Sequence, residues 1–139
     1  IKGKLISFES KNSLDEYETH LVLDAMAMGF STKKALLIKE PEMIFRKIGI
    51  KDFTRKKNLK EVRARIIGKQ GKTIKTIRSL SNCQIVLMDN EIGIIGNAES
   101  IEITTIAITN LIRGTKQSNV YHYLEKSHKT KEEGLGLKD

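Results

Sequence analysis

The 139-residue sequence has little that would cross-link a chain or bind a metal: one cysteine, one proline and no tryptophan. Cys83 alone cannot form an internal disulfide, and it has no partner at zinc-ligand spacing. His20, His122 and His128 are far apart in the sequence. No apolar run approaches the roughly 20 residues of a membrane span, and we expect no leader peptide. We therefore expect a soluble, intracellular protein with no metal, no cofactor and no membrane partner.

Positive charge is concentrated in one part of the sequence. The net charge is +8, and residues 42–83 alone hold thirteen Lys and Arg against three acidic residues. Residues 1–41 are balanced, residues 84–114 have net charge −3 and residues 115–139 have net charge +1. A solvated basic face is one reading of such a stretch. Because the stretch surrounds a glycine-rich turn, it favours a polyanionic partner.

Apolar periodicity, capping residues and turn residues predict the order of secondary structure. The predicted elements are a strand over 2–10, helices over 14–28 and 31–38, a strand over 43–50, helices over 59–67 and 72–81, strands over 83–88 and 91–96, a helix over 98–113 and one or two helical turns over 120–126, followed by a polar tail. From residue 43 onward this order predicts an α+β domain, with a three-stranded sheet covered on one face by three helices. Lys72, Lys75 and Arg78 are expected to face solvent.

The stretch "IIGKQGKTIKTI" at 66–77 raises the question of a nucleotide-binding phosphate loop. Gly71-Lys72-Thr73 fits the last three positions of that motif, but its first glycine would fall on Ile66. The preceding segment "LKEVRARII" is too charged for a buried parallel strand. Asp89 follows the strand over 83–88, but it falls at a tight hairpin turn rather than at a magnesium-binding strand end. These departures argue against nucleotide hydrolysis, and we expect no enzyme activity and no small-molecule substrate.

The same turn has the features of a clamp for a nucleic-acid backbone. Glycines without Cβ atoms allow a sugar-phosphate to approach, and the N-terminus of the following helix favours an anion. Phosphate contacts of this kind hold position, and bases would need an adjacent apolar groove beside the strand. The predicted RNA-binding residues combine the loop, flanking cations and groove residues, and they are Gly68, Lys69, Gln70, Gly71, Lys72, Thr73, Lys75, Arg63, Arg65, Ile67, Ile74 and Ile85.

Two segments carry a resemblance to a known fold. "RIIGKQGKTIKTIRSLSNCQIVL" followed by "EIGIIGNAESIEITTIAITNLIRG" resembles a KH domain, whose mark is the pattern I-I-G-x-x-G-K-x-I-x-x-I. "DAMAMGFSTKKALLI" and "GTKQSNVYHYLEK" are similar to segments of the Partner-of-Nob (Dim-two type) family of ribosome-assembly proteins. The KH assembly factor named for its Lys-Arg-Arg motif also ends its domain near such a Tyr-His stretch and stays an alternative.

The resemblance implies a type I KH fold and an RNA-binding role without catalysis. Residues 1–41 would be the end of a degenerate first KH-like unit with a helical connector, 42–114 the KH domain, and 115–139 a helical extension with a polar tail. The implied partners are single-stranded RNA near the 3′ end of small-subunit rRNA, the pre-ribosomal small subunit and a Nob-type endonuclease. The implied location is the cytoplasm, or nucleus and nucleolus to cytoplasm in a eukaryote. The alternative function is a protein–protein adaptor that docks a nuclease or a translation factor.

Overall fold

The computed structural model describes the backbone of residues 13–136 and the side chains of residues 13–128. The strand predicted over 2–10 lies outside the described residues. The first elements are helix α1 (Ser13–Ala27) and the short helix α2 (Thr32–Ala35), which continues as a 3-10 turn over Leu36–Lys39. Ser31 caps α2 by accepting a hydrogen bond from the Lys34 N–H at 3.2 Å, as the sequence predicts.

The domain that follows contains three strands and three helices in the predicted order. These elements are β1 (Met43–Gly49), α3 (Leu59–Ile67), α4 (Lys72–Ser81), β2 (Gln84–Met88), β3 (Glu91–Asn97) and α5 (Ala98–Arg113). The side chain of Asn58 caps α3 by accepting from the Glu61 N–H, and that of Asn97 caps α5 by accepting from the Ser100 N–H. Local capping therefore fixes where both helices begin.

The three strands form an antiparallel sheet in the order β1-β3-β2. Strand β3 lies in the middle, so its residues are buried on both faces of the sheet. Ile92 and Ile94 face the helices α3, α4 and α5, whereas Gly93 and Ile95 face the opposite side. The apolar run of β3 reflects this double burial, since neither of its faces meets water.

The helix-covered face holds a core made almost entirely of aliphatic side chains. Ile48 of β1 packs there with Val62 and Ile66 of α3, and Ile77 of α4 and Ile108 of α5 join them. All of these side chains are buried. The spacing of the apolar residues in the sequence predicted this layer, because each helix has one apolar stripe.

The other face of the sheet is covered by the segment that precedes it, which the sequence did not predict. Phe30, between α1 and α2, packs edge-on against Phe45 of β1, with ring centroids 6.1 Å apart. A Cβ on Gly93 would lie 3.1 Å from the Phe30 ring, 3.3 Å from the Phe45 ring and 3.4 Å from Met28. Glycine at this position therefore lets the segment from α1 to α2, called the connector below, lie directly on the sheet.

The C-terminal helix is longer than predicted. We expected one or two helical turns over 120–126, and α6 instead spans Gln117–Gly136. Val120 and Leu124 anchor its beginning in the main core. The lysines and glutamates that follow are good helix formers and no proline interrupts them, so the backbone continues as helix without an apolar stripe. None of the helices described in residues 13–136 has the length and apolar composition needed to cross a membrane.

Candidate nucleic-acid interface

The Gly68-Lys69-Gln70-Gly71 segment, called the GKQG loop below, is a tight turn between α3 and α4. Gly68 has φ +76° and ψ 175°, Gly71 has φ +75°, and Gln70 between them has φ +55°. The Gly68 N–H donates to the Ala64 carbonyl at 2.8 Å and the Gly71 N–H donates to the Gly68 carbonyl at 3.2 Å. This turn places the exposed side chains of Lys69 and Gln70 at its tip.

The inner side of the loop explains why Gly68 has no side chain. A Cβ there would overlap the Thr73 hydroxyl and would lie 2.6 Å from the Thr73 Cβ. Thr73 is only 4% exposed, and its hydroxyl accepts a hydrogen bond from Gln117 Nε2 at 3.1 Å. Thr73, which the sequence placed among the RNA-binding residues, therefore lies beneath the loop and supports it.

The outer side of the loop is open and basic. A Cβ on Gly71 would lie 3.9 Å from Lys75 Cε, which is an ordinary contact distance. Lys69, Lys72 and Lys75 are exposed, and none of them belongs to the three ion pairs found among the side chains of residues 13–128. Lys72 begins α4, where free backbone N–H groups and the helix dipole add positive potential. This surface can hold an anionic oxygen.

The arginines near the loop make contacts that the sequence did not reveal. Arg63 donates to the Asn90 side-chain oxygen at 3.1 Å. Arg65 donates to the Leu111 carbonyl at 3.1 Å and to the Thr115 carbonyl. In this structure both predicted RNA-binding arginines therefore tie α3 to neighbouring segments, while their positive charge still adds to the local field.

Arg78 was expected to face solvent, and this prediction is wrong. Its side chain is partly buried and donates to the Ile85 carbonyl at 2.9 Å, which ties α4 to the edge strand β2. Burial disfavours the charged form and lowers the pKa of Arg78 below its ordinary value. Helical spacing placed Arg78 beside Lys75, but no local signal shows that β2 supplies an acceptor there.

The predicted groove residues divide into an exposed wall and a buried support. Ile67, at the end of α3, is 39% exposed. Met88, at the end of β2, is 45% exposed, but it alternates with Leu87 and so faces the side of the sheet opposite the helices. Ile74 and Ile85 are buried in the main core, so they support the groove from below. A ligand beside the loop would meet Ile67 and the partly exposed Leu87, whose side chain is on the helix face of the sheet, rather than those two side chains.

The edge of β2 offers backbone groups on the same side. Met88 pairs with Glu91 across the two-residue turn Asp89-Asn90, and Ile85 pairs with Ile94. In a two-residue hairpin the closing pair exchanges hydrogen bonds, so the alternation of an antiparallel ladder turns the N–H and C=O groups of Ile85 and Leu87 outward. The Ile85 carbonyl already accepts from Arg78, and the outward groups of Leu87 can pair with the edge of a base.

The sheet order β1-β3-β2 and the GxxG turn between two helices define a type I KH domain. The PNO1 second-KH family model, described as a eukaryotic type KH domain (KH-domain type I), matches residues 44–129. The chain belongs to this PNO1/Dim2 family.

Relatives and a solved structure agree with this assignment. The chain is 35% identical over 102 residues to "RNA-binding protein PNO1" of Oryzias latipes, covering 71% of this chain and 42% of the relative. It is 31% identical over 128 residues to "Pre-rRNA-processing protein PNO1" of Coccidioides immitis, covering 87% and 50% respectively. The chain spans about half the length, or less, of these curated relatives.

The crystal structure of the a/eIF2alpha–aDim2p–rRNA complex from Pyrococcus horikoshii contains a similar fold. The matched chain superposes with a TM-score of 0.81 at 31% identity, covering 89% of this chain and 68% of the matched chain. Similarity thus extends beyond the KH domain to the connector and the C-terminal helix.

Proposed function

We propose that this chain is a non-catalytic protein of small-ribosomal-subunit assembly that binds single-stranded RNA near the 3′ end of small-subunit rRNA. The GKQG loop would hold the phosphates, and the surface beside Ile67, Leu87 and the edge of β2 would receive the bases. The observation that carries the proposal is the outer side of the loop. There Lys69, Lys72 and Lys75 are exposed and make no ion pair with the described residues.

The geometry supports binding of the backbone with little rearrangement. Positive φ angles at Gly68, Gln70 and Gly71 make the tight turn that leads into the start of α4. The free N–H groups at the start of that helix and three exposed lysines at and after the turn favour an anionic oxygen. KH loops of this kind clamp about four nucleotides of backbone, with base recognition left to the groove.

The relatives support the biological setting. Similar proteins are called RNA-binding and pre-rRNA-processing proteins, and a similar fold occurs in a complex with rRNA. From this setting we propose the pre-ribosomal small subunit and a Nob-type endonuclease as partners. We also propose a cytoplasmic site of action, with passage from nucleus and nucleolus to cytoplasm in a eukaryotic cell.

The proposal is tested by RNA binding to the wild-type chain and to the double variant Lys69→Asp with Gln70→Asp. The RNA is a single strand from the 3′ end of small-subunit rRNA, with a scrambled strand as control. We expect the wild type to prefer the ribosomal strand and the variant, checked for folding by circular dichroism, to lose binding. Equal binding by both proteins would contradict a role for the loop.

A second candidate function is that of a protein–protein adaptor. It is favoured by the occurrence of a similar chain in a complex with a/eIF2alpha as well as rRNA. Leu14 and Tyr17 of α1 are 67% and 62% exposed and could contact a protein partner. An adaptor would keep its partner when the GKQG loop is changed, so the loop variant distinguishes the two functions.

A further inference from the structure

A second basic site lies away from the GKQG loop, between the end of β1 and the end of α5. It is a cleft of about 560 Å³ lined by Lys51, Asp52, Phe53, Thr54, Arg55 and Arg113. We propose that this cleft, called the Phe53 cleft below, binds the phosphates of an RNA segment that continues beyond the GKQG loop. The proposal rests on the proposed function and extends it to a second contact.

The charges of the Phe53 cleft are not neutralised within the described residues. Lys51, Arg55 and Arg113 take part in none of the three ion pairs found among the side chains of residues 13–128. The carboxylate of Asp52 instead lies over Gly49, where a Cβ would be 2.8 Å from it. Three cations around one carboxylate leave excess positive charge, and arginine guanidinium groups suit phosphate oxygens.

The cleft also offers a flat surface for a base. The Arg113 guanidinium carbon lies 5.4 Å from the centroid of the Phe53 ring, within the range of a cation–π contact. Phe53 packs against the main core on its other side. Because RNA bases stack on guanidinium planes as well as on aromatic rings, a guanidinium held in this way can support a base beside the phosphate-binding cations.

Backbone hydrogen bonds hold the wall of the Phe53 cleft in place. The Ile50 N–H donates to the Asn90 carbonyl at 2.9 Å, and the Phe53 N–H donates to the Ile50 carbonyl at 3.1 Å. The Lys56 N–H donates to the Thr54 hydroxyl at 3.2 Å. Because the cleft is already ordered without a ligand, less of the binding free energy is lost in ordering it when a ligand binds.

The C-terminal end of α5 connects the Phe53 cleft with the base of the GKQG loop. This end carries Arg113, and its Leu111 carbonyl accepts from Arg65 at 3.1 Å. The segment that follows supplies Gln117, which donates to Thr73 beneath the loop. Both sites therefore flank one end of α5, and one RNA strand can contact both.

RNA explains this placement better than an acidic protein does. Lys56 and Lys57 lie between the cleft and α3 and Lys60 lies in the first turn of α3, and all three are exposed. A run of cations that leads from one phosphate-binding site toward another matches the repeated charge of a nucleic-acid backbone.

The test compares two double variants that make the same change in net charge. Lys51→Glu with Arg55→Glu alters the Phe53 cleft, and Lys33→Glu with Lys34→Glu alters exposed lysines of α2 as a control. Affinity is measured for 3′ rRNA strands of about four nucleotides, the length that a KH loop clamps, and of about 16 nucleotides, the upper range of single-strand sites. Circular dichroism checks folding.

We expect the cleft variant to bind the longer strand about tenfold more weakly than the control, a change that corresponds to about 1.4 kcal/mol. Its log–log salt slope should be shallower by about 1.4, at roughly 0.7 per lost phosphate. Binding of the short strand should match that of the control.

Three outcomes would overturn the proposal. Equal affinity of the cleft variant and the control variant for the longer strand would show that the Phe53 cleft does not contact RNA. The proposed function would stand in that case if the Lys69→Asp, Gln70→Asp variant still loses binding. Equal weakening of both strand lengths would show that the cleft is not a separate contact. Failure of the wild-type chain to bind either strand would contradict both the proposed function and this inference.

Discussion

The inner and outer sides of the GKQG loop use the same kinds of residue for different purposes. On the inner side, Gly68 makes room for buried Thr73, and Arg65 donates to the Leu111 and Thr115 carbonyls. On the outer side, Gly71 has room for a Cβ, which would lie 3.9 Å from Lys75 Cε, and Lys69 is exposed at the tip. A glycine or a cation on the inner side of this loop therefore stabilises the fold, whereas one on the outer side is available to contact a ligand.

The largest effect on folding is expected at Gly68. Gly68→Ala would place a Cβ against Thr73 in a backbone region that only glycine adopts readily. We expect the free energy of unfolding to fall by about 2–5 kcal/mol from strain and overlap together. Urea titration measures the change.

Gly71→Ala is the matched control for Gly68→Ala, because Gly71 has a similar φ but room for a Cβ at an ordinary contact distance. Its expected cost is about 1–2 kcal/mol, from the left-handed backbone alone. Equal losses for the two alanine variants would mean that contact with Thr73 does not distinguish the two glycines.

We expect Arg65 to contribute more to folding stability than to RNA affinity. Arg65→Gln removes hydrogen bonds from a charged group to the end of α5. We expect the free energy of unfolding to fall by about 1.5–3 kcal/mol, the usual value for such bonds. Lys75→Gln, on the exposed side of α4, should change it by no more than about 0.5 kcal/mol. An unchanged melting curve for Arg65→Gln would show that these contacts do not hold α3 to α5.

A smaller effect is expected in the salt dependence of RNA binding. For two to four neutralised phosphates, the log–log slope of the wild-type chain should be roughly −1.5 to −3. Lys72→Gln with Lys75→Gln should make that slope shallower by about 1.4 if each lysine holds one phosphate. Binding titrations at several salt concentrations measure it. A wild-type slope near zero would contradict the electrostatic account.

Local signals in the sequence were sufficient to predict most of the secondary structure of the KH domain. The bounds of α3, α4 and α5 were predicted because asparagine caps, the glycine turn and Gly114 lie next to the residues that they affect. The exposed tip of the GKQG loop followed from the same pattern. These features depend on interactions between near neighbours in the chain.

Features that depend on distant contacts were not predictable in this way. The connector was recognised as helical, but its packing on the sheet through Phe30 and Gly93 required the tertiary structure. The spacing of charges likewise could not show that Arg63, Arg65 and Arg78 meet acceptors on other segments. Charge in a sequence therefore does not show which cations already donate hydrogen bonds within the fold.

The most direct test measures the affinity for the 3′ rRNA strand of two variants, side by side, at a temperature at which both are folded. The outer-side variant is Lys69→Asp with Gln70→Asp, and the inner-side variant is Arg65→Gln. We predict a loss of about tenfold or more for the first, or at least about 1.4 kcal/mol, and a change within about twofold for the second. Equal losses, or a larger loss for Arg65→Gln, would contradict the division between a structural inner side and a ligand-binding outer side.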